Sequence, residues 1–149
     1  MSISVTRALR GHVRVLIDTS VWIYHFGEHE QFGAQATKVI ELIEAGRVSG
    51  VGSELSLLEL AVKPLQLGRQ DVADEIELLV SRFPNFELIP VTREILLTAA
   101  ALRARYHLKT PDAILVATGL QAGATAAVTN DSAWRGVADI EVIVLADLT

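Results

Sequence analysis

Four acidic residues carry the chemistry that this chain can be read for: Asp18, Glu59, Asp112 and Asp131. Asp18 directly follows an apolar run in VLIDTSVWIYHF, and Glu59 sits inside SELSLLELAVKP. Asp112 opens KTPDAILVATGL, and Asp131 closes AAVTND. Each acid has an ordinary alternative. Asp18 can be a helix N-cap, Asp112 can complement a helix dipole, and Asp131 after Asn130 can be a turn or cap residue. Glu59 is harder to dismiss, because Leu57, Leu58, Leu60, Ala61 and Val62 surround it. Its helix reads as largely buried, and a buried carboxylate requires a partner. Lys63 can snorkel to solvent, which leaves a metal ion as a sufficient partner.

Oxygen ligands alone, with no Cys and no evident His set, select Mg²⁺ or Mn²⁺ over zinc. A site of that kind suits hydrolysis of a phosphodiester by an activated water. Ser20, two residues after Asp18, is available to hydrogen-bond a ligand carboxylate or to cap a helix. Asn130 competes with Asp131 for the fourth position. Glu54, near Glu59, reads as a first-turn helix acid. His25 and His29 are four apart, but Gly27 lies between them and no third ligand is evident, so both are expected at the surface.

The elements that would position these acids follow from periodicity and punctuation. Short apolar runs at 13–17, 48–52, 86–91, 125–129 and 141–145 read as strands. Between them, helical spacing covers 20–26, 31–45, 54–67, 71–82, 93–106 and a stretch from Thr110 to about residue 122. Ser53, Thr92 and Thr110 stand as N-caps, and Pro111 takes the first helical position. Alternating strands and helices predict one α/β domain with a mostly parallel sheet covered on both faces. Residues 1–12 read as an N-terminal tail and 13–149 as the domain. In such a sheet, ligands bind beyond the carboxyl ends of the strands. All four acids map to that rim.

Composition bounds the reading. One domain of 149 residues that is 50% hydrophobic is far from the disordered class. That apolar content fits buried strands, a partner-binding surface, or both. The absence of cysteine excludes disulfides and thiolate catalysis. No secretory signal and no apolar run of membrane-spanning length is evident, so a cytoplasmic protein without a membrane partner is expected. A net charge of −5 is the wrong sign for bulk binding of nucleic acid, unless bound cations invert the local field.

The set DTSVWI, LLEL, TPDAILVAT and VTND, in that order, resembles the PIN domain family, especially the VapC-type toxins of prokaryotic toxin–antitoxin pairs. The resemblance spans roughly residues 13–145. It implies an α/β/α sandwich and a Mg²⁺- or Mn²⁺-dependent endoribonuclease. It also implies an acidic quartet of Asp18, Glu59, Asp112 and Asp131, supported by Ser20. A homodimer and a cognate antitoxin whose tail enters the active site complete the expected partners.

Substrate contacts are expected from Arg103, Arg105 and Lys109, just before Asp112, with Tyr106 available for stacking on a base. The alternative is a solvated helix end. Arg7, Arg10 and His12 form a second basic group. Trp22, Tyr24 and Phe26 read as core or as an anchor for an antitoxin segment, and Trp134 as packing beneath the site. Two other functions fit the same residues: a catalytically inactive PIN-like module that binds RNA or protein, and a housekeeping PIN nuclease in RNA processing. A haloacid-dehalogenase-like phosphatase does not, because Ser20 stands where its second Asp would be.

Overall fold

The computed structural model describes residues 2–149. Helix α1 (Val5–Leu9) precedes strand β1 (Arg14–Ile17), which leads into α2 (Thr19–Phe26) and α3 (Gly33–Glu44). Strand β2 (Ser49–Ser53) is followed by α4 (Leu55–Gln66) and α5 (Gln70–Ser81). Strand β3 (Phe86–Ile89) is followed by α6 (Arg93–Tyr106) and α7 (Thr110–Gln121). Strand β4 (Ala126–Thr129), a 3-10 turn at Ser132–Gly136, and strand β5 (Glu141–Val144) complete the chain before a last 3-10 turn at Leu145–Asp147.

The five strands are ordered β3-β2-β1-β4-β5, and every pairing is parallel. Side chains alternate across the pleat. Val15 and Ile17 of β1 join Ala126 and Val128 of β4 in one core with Val5, Val21, Trp22 and Val39 from α1–α3. Leu16, Val51 and Ala127 face the other way, onto Ala99 and Leu102 of α6 and Ala113, Val116 and Ala117 of α7. The result is the three-layered α/β/α sandwich expected, with a sheet that is wholly parallel.

The chain runs β1, β2, β3 outward on one side and then crosses back to β4 beside β1. The carboxyl ends of β1 and β4 therefore flank the point where the strand order reverses, the place where such sheets open a crevice.

Three local features depart from the sequence reading. The stretch taken as a tail is packed from Ser4 onward. The Ser4 hydroxyl accepts from the Arg7 amide, Val5 and Leu9 are buried, and Ile3 pairs with Leu148. A single amphipathic turn is too short to show helical periodicity. Thr110 is the first residue of α7 and not its cap, with Lys109 at the cap position. Pro111 thus sits one residue further in, still within the first turn, where a missing N–H costs nothing. The glycines of β2 are not interruptions. A Cβ on Gly52 would lie 2.8 Å from the Phe86 ring, so the strand is glycine-bearing because that ring packs against its backbone.

Helix α7 approaches β1 closely through Gly119, where an added Cβ would lie 3.0 Å from Leu16 Cβ and Cδ2. This contact holds the helix that carries Asp112 against the strand that carries Asp18. We expect Gly119→Val to destabilise the protein by about 1–3 kcal/mol, as overpacked cores do, measured as a lowered urea midpoint at unchanged m-value. A midpoint equal to that of the parent would remove the close-approach argument.

Candidate active site

Asp18 follows β1 directly and occupies the N-cap position of α2, yet its side chain does not cap the helix. The carboxylate is buried, and its Oδ2 accepts the hydroxyls of Thr129 at 2.7 Å and Ser20 at 2.8 Å. Thr129 ends β4, the strand paired with β1. A threonine hydroxyl has one proton, and here it goes to Asp18, while the same oxygen accepts the Asp131 amide at 3.0 Å. The relay runs Asp131 N–H to Thr129 to Asp18, and Oδ1 of Asp18 takes neither hydroxyl.

Glu59 sits on α4 and is held in the same manner. Thr19 donates to its Oε1 at 2.8 Å, and Thr19 Oγ1 lies 2.7 Å from Ser56 Oγ in a buried contact. Since the Thr19 proton is committed to Glu59, Ser56 is the donor to Thr19. The expectation of a largely buried α4 is corrected. Only Ser56 and Leu60 are buried on it, whereas Leu58 is 61% exposed. Glu59 is partly buried, and its near partner is a hydroxyl. Glu54 is exposed, and the Leu55 amide beside it donates to Ser53 Oγ.

Asp112 lies in the first turn of α7, partly buried. Burial is the main force raising its pKa to about 6, and the charges of Asp18, Asp131 and Glu59 add to it. The Trp134 indole works in the opposite sense. Burial also raises Asp18, with the Thr129 and Ser20 hydroxyls opposing it, and raises Glu59 against the Thr19 bond. Asp112 therefore feels all three other acids at once, which a scattered set would not produce. Asp131 is exposed, and its Oδ1 accepts the Ala133 amide at 2.9 Å as the cap of the 3-10 turn. Asp18, Glu59 and Asp131 thus lie within electrostatic reach of Asp112, with Asp131 the exposed member.

None of the four is ion-paired to a Lys or Arg among the described residues, whose charged pairs are His12–Glu141, Arg69–Asp71 and Arg135–Asp147. Among those residues, too, no three His, Asp or Glu side chains form a ready-made cage. Carboxylate oxygens without a cationic partner are the hard donor type that a cation such as Mg²⁺ takes.

Other expected site residues have defined places. The Asn130 amide donates to Tyr24 Oη at 3.3 Å, and its Oδ1 accepts the Ala146 amide at 3.0 Å. Its functional atoms are spent on the fold. Arg103 Nε donates to Leu108 O at 2.8 Å, which closes the turn between α6 and α7. Tyr106 donates its hydroxyl to Asp139 and lies beneath the Arg105 guanidinium, 5.2 Å from the ring centroid. Arg105 and Lys109 are exposed.

His12 bonds Thr125 and Glu141 at the opposite end of the sheet. Trp22 is core, packed against Phe26, Phe83 and Phe86. His25 meets Thr37, and His29 Nδ1 accepts the Gln31 and Phe32 amides.

The reading from sequence missed Thr19, Ser56 and Thr129, which orient the acids. The signal was present in outline: Thr129 ends an apolar strand with a polar residue, and Ser56 stands one helical turn before Glu59.

With the geometry in place, comparison with known proteins gives the family. The PIN domain family matches residues 15–140, and the chain belongs to it. No curated protein sequence matches the chain. Several solved structures share the fold. A toxin–antitoxin complex from Klebsiella pneumoniae is 22% identical, with a TM-score of 0.69 over 90% of this chain and 99% of the other. A DNA-bound VapBC from Salmonella typhimurium is 15% identical, with a TM-score of 0.69 over 89% and 98%. VapC20 from Mycobacterium tuberculosis, described as a sarcin–ricin-loop-cleaving toxin, is 17% identical, with a TM-score of 0.60 over 76% and 86%. At these identities the likeness is one of fold.

The raised pKa of Asp112 has a measurable consequence for stability. Its folded value of about 6 exceeds the reference 3.8, so protonated Asp112 favours folding. That contribution is fully present below about pH 4 and is lost as pH rises through about 6. In chelator, Asp112→Asn should match the parent in thermal midpoint near pH 4 and exceed it near pH 7.5. Equal midpoints at both values would contradict the assigned upward shift by burial and neighbouring charge.

Proposed function

We propose that this chain is a Mg²⁺- or Mn²⁺-dependent endoribonuclease and the toxin of a toxin–antitoxin pair. The observation that carries the reading is the convergence of four uncompensated acids, from four distant segments, on the sheet edge where the strand order reverses. A bound divalent cation would supply positive charge at a phosphodiester oxygen and lower the pKa of an attacking water.

The residues of this chain do the rest. Asp18 and Asp112 present carboxylates from opposite sides of the crevice, Glu59 reaches it from α4, and Asp131 closes its rim. Ser20 and Thr129 fix one oxygen of Asp18, and the Ser56–Thr19 relay fixes one oxygen of Glu59. These hydroxyl bonds hold each carboxylate in one orientation before substrate arrives, so little reorganisation is required at the moment of reaction. Water attack in line with the leaving oxygen would leave 5′-phosphate and 3′-hydroxyl ends.

Arg105 and Lys109 are exposed just before the helix of Asp112 and would meet RNA phosphates. The net charge of −5 then makes substrate binding depend on the cation as well, since the bare site repels a phosphate backbone.

Two surfaces support the partners. A groove of about 420 Å³ between α2, α4 and α5 is walled by Ile23, Phe26, Leu60, Leu67 and Ile76 and opens on Glu59. An antitoxin segment lying there would end at the carboxylates, with Lys63 at its border to meet an acidic side chain. Leu58, Val62 and Leu65 form an exposed apolar stripe on α4, and Leu96 and Leu97 another exposed pair on α6. Such faces suit association with a second copy. No helix among the described residues is long and apolar enough to cross a membrane.

The test is cleavage of RNA by the purified chain in Mn²⁺ against EDTA, with mapping of the ends. Asp18→Asn and Asp112→Asn should each lower the rate at least a hundredfold while leaving the fold intact by circular dichroism. Full activity in either variant would sink the nuclease reading. RNA that is bound but left whole by the parent in Mn²⁺ would assign the chain to binding modules instead.

A further inference from the structure

Two indole N–H groups, of Trp22 and Trp134, are buried without a hydrogen-bond partner among the described residues. A buried donor left unpaired costs roughly 1–3 kcal/mol, so each calls for an explanation. Trp22 lies among the rings of Phe26, Phe83 and Phe86, where no carboxylate stands. Trp134 is different.

It is fully buried in the 3-10 turn that Asp131 caps, and it packs in one cluster with Ala113, Val116 and Ala117 of α7. Its indole opposes the rise in the Asp112 pKa, yet the buried N–H makes no hydrogen bond of ordinary geometry. The two facts fit one arrangement: a donor without an acceptor, beside a carboxylate surrounded by like charge.

We propose that Trp134 is a positioning residue, whose indole N–H donates to one oxygen of Asp112 and turns the other toward Asp18, Glu59 and Asp131. The role rests on the reading of the quartet as a cation site. Neutral donors on one oxygen only are the device already present at Asp18, where both hydroxyls fall on Oδ2. The Trp134 turn also contains the cap made by Asp131, so one short segment sets two of the four acids. Phenylalanine would fill most of the same space, yet it could not hold the carboxylate.

The experiment is a ¹H–¹⁵N spectrum of the metal-free protein, in which each tryptophan contributes one indole resonance. Trp134→Phe removes one of them and so assigns it. Asp112→Ala should move the Trp134 indole proton upfield and speed its exchange with solvent, while the Trp22 resonance and the effect of Asp18→Ala on either remain small. Mn²⁺ titration of Trp134→Phe should show about tenfold weaker binding, the usual effect of losing a partner behind a metal ligand.

A Trp134 resonance unmoved by Asp112→Ala overturns the proposal, as does Mn²⁺ affinity in Trp134→Phe equal to that of the parent. Should Trp134→Phe fail to fold, the response of the native indole to Asp112→Ala decides the matter alone. A protein that fails to cut RNA but shows this coupling loses the nuclease reading and keeps the positioning role.

Discussion

Like charges gathered at one sheet edge repel, and much of the structure around the β1–β4 crevice acts to hold them there. Asp18, Glu59, Asp112 and Asp131 have no cationic side chain among them, and their mutual repulsion adds a cost to the burial that raises Asp112 to about 6. What opposes that cost is neutral: the hydroxyls of Ser20 and Thr129 on Asp18, the hydroxyl of Thr19 on Glu59, and packing through Gly119 that keeps α7 against β1. Neutral donors orient a carboxylate and leave its charge uncancelled, so the attraction for a cation is preserved. A lysine in the same place would cancel that charge.

That arrangement also explains why serine and threonine, and not arginine, line the crevice. Each hydroxyl donates its only proton and accepts in turn from a neighbour, as Thr129 does from the Asp131 amide and Thr19 from Ser56. Two such relays tie β1 to β4 and α2 to α4. The residues that orient the acids are thus the same ones that lock the elements bearing them, and site geometry and local packing are one set of contacts.

Most of this architecture was legible in the residues. Five strands, the parallel sheet, the helix over Arg93–Tyr106 and the rim position of the acids follow from short apolar runs, helical spacing and caps such as Thr92, whose hydroxyl accepts the Ile95 amide. What stayed hidden depends on contacts across the sequence. Asn130 looks interchangeable with Asp131 until Tyr24 and Ala146 are seen to occupy both ends of its amide. Tyr106 looks free for a base until Asp139, far along the chain, takes its hydroxyl. Glu59 looks buried because its neighbours are apolar, but leucines at a protein surface are common and carry no burial signal by themselves.

The packing of the first residues carries a practical consequence for attachments. Ile3 runs beside Leu148, the Thr149 amide donates to Ile3 O, and the segment between β5 and Leu148 is tied to Asn130 and Arg135, next to Asp131. Both ends of the described chain therefore surface together at the carboxylate rim. A tag, a fluorophore or a fused domain at either end would be tethered beside the crevice, at an effective concentration on the order of millimolar for a short flexible linker. A polyhistidine tag there would bring metal-binding imidazoles next to the acids, and an acidic tag would add to the local repulsion.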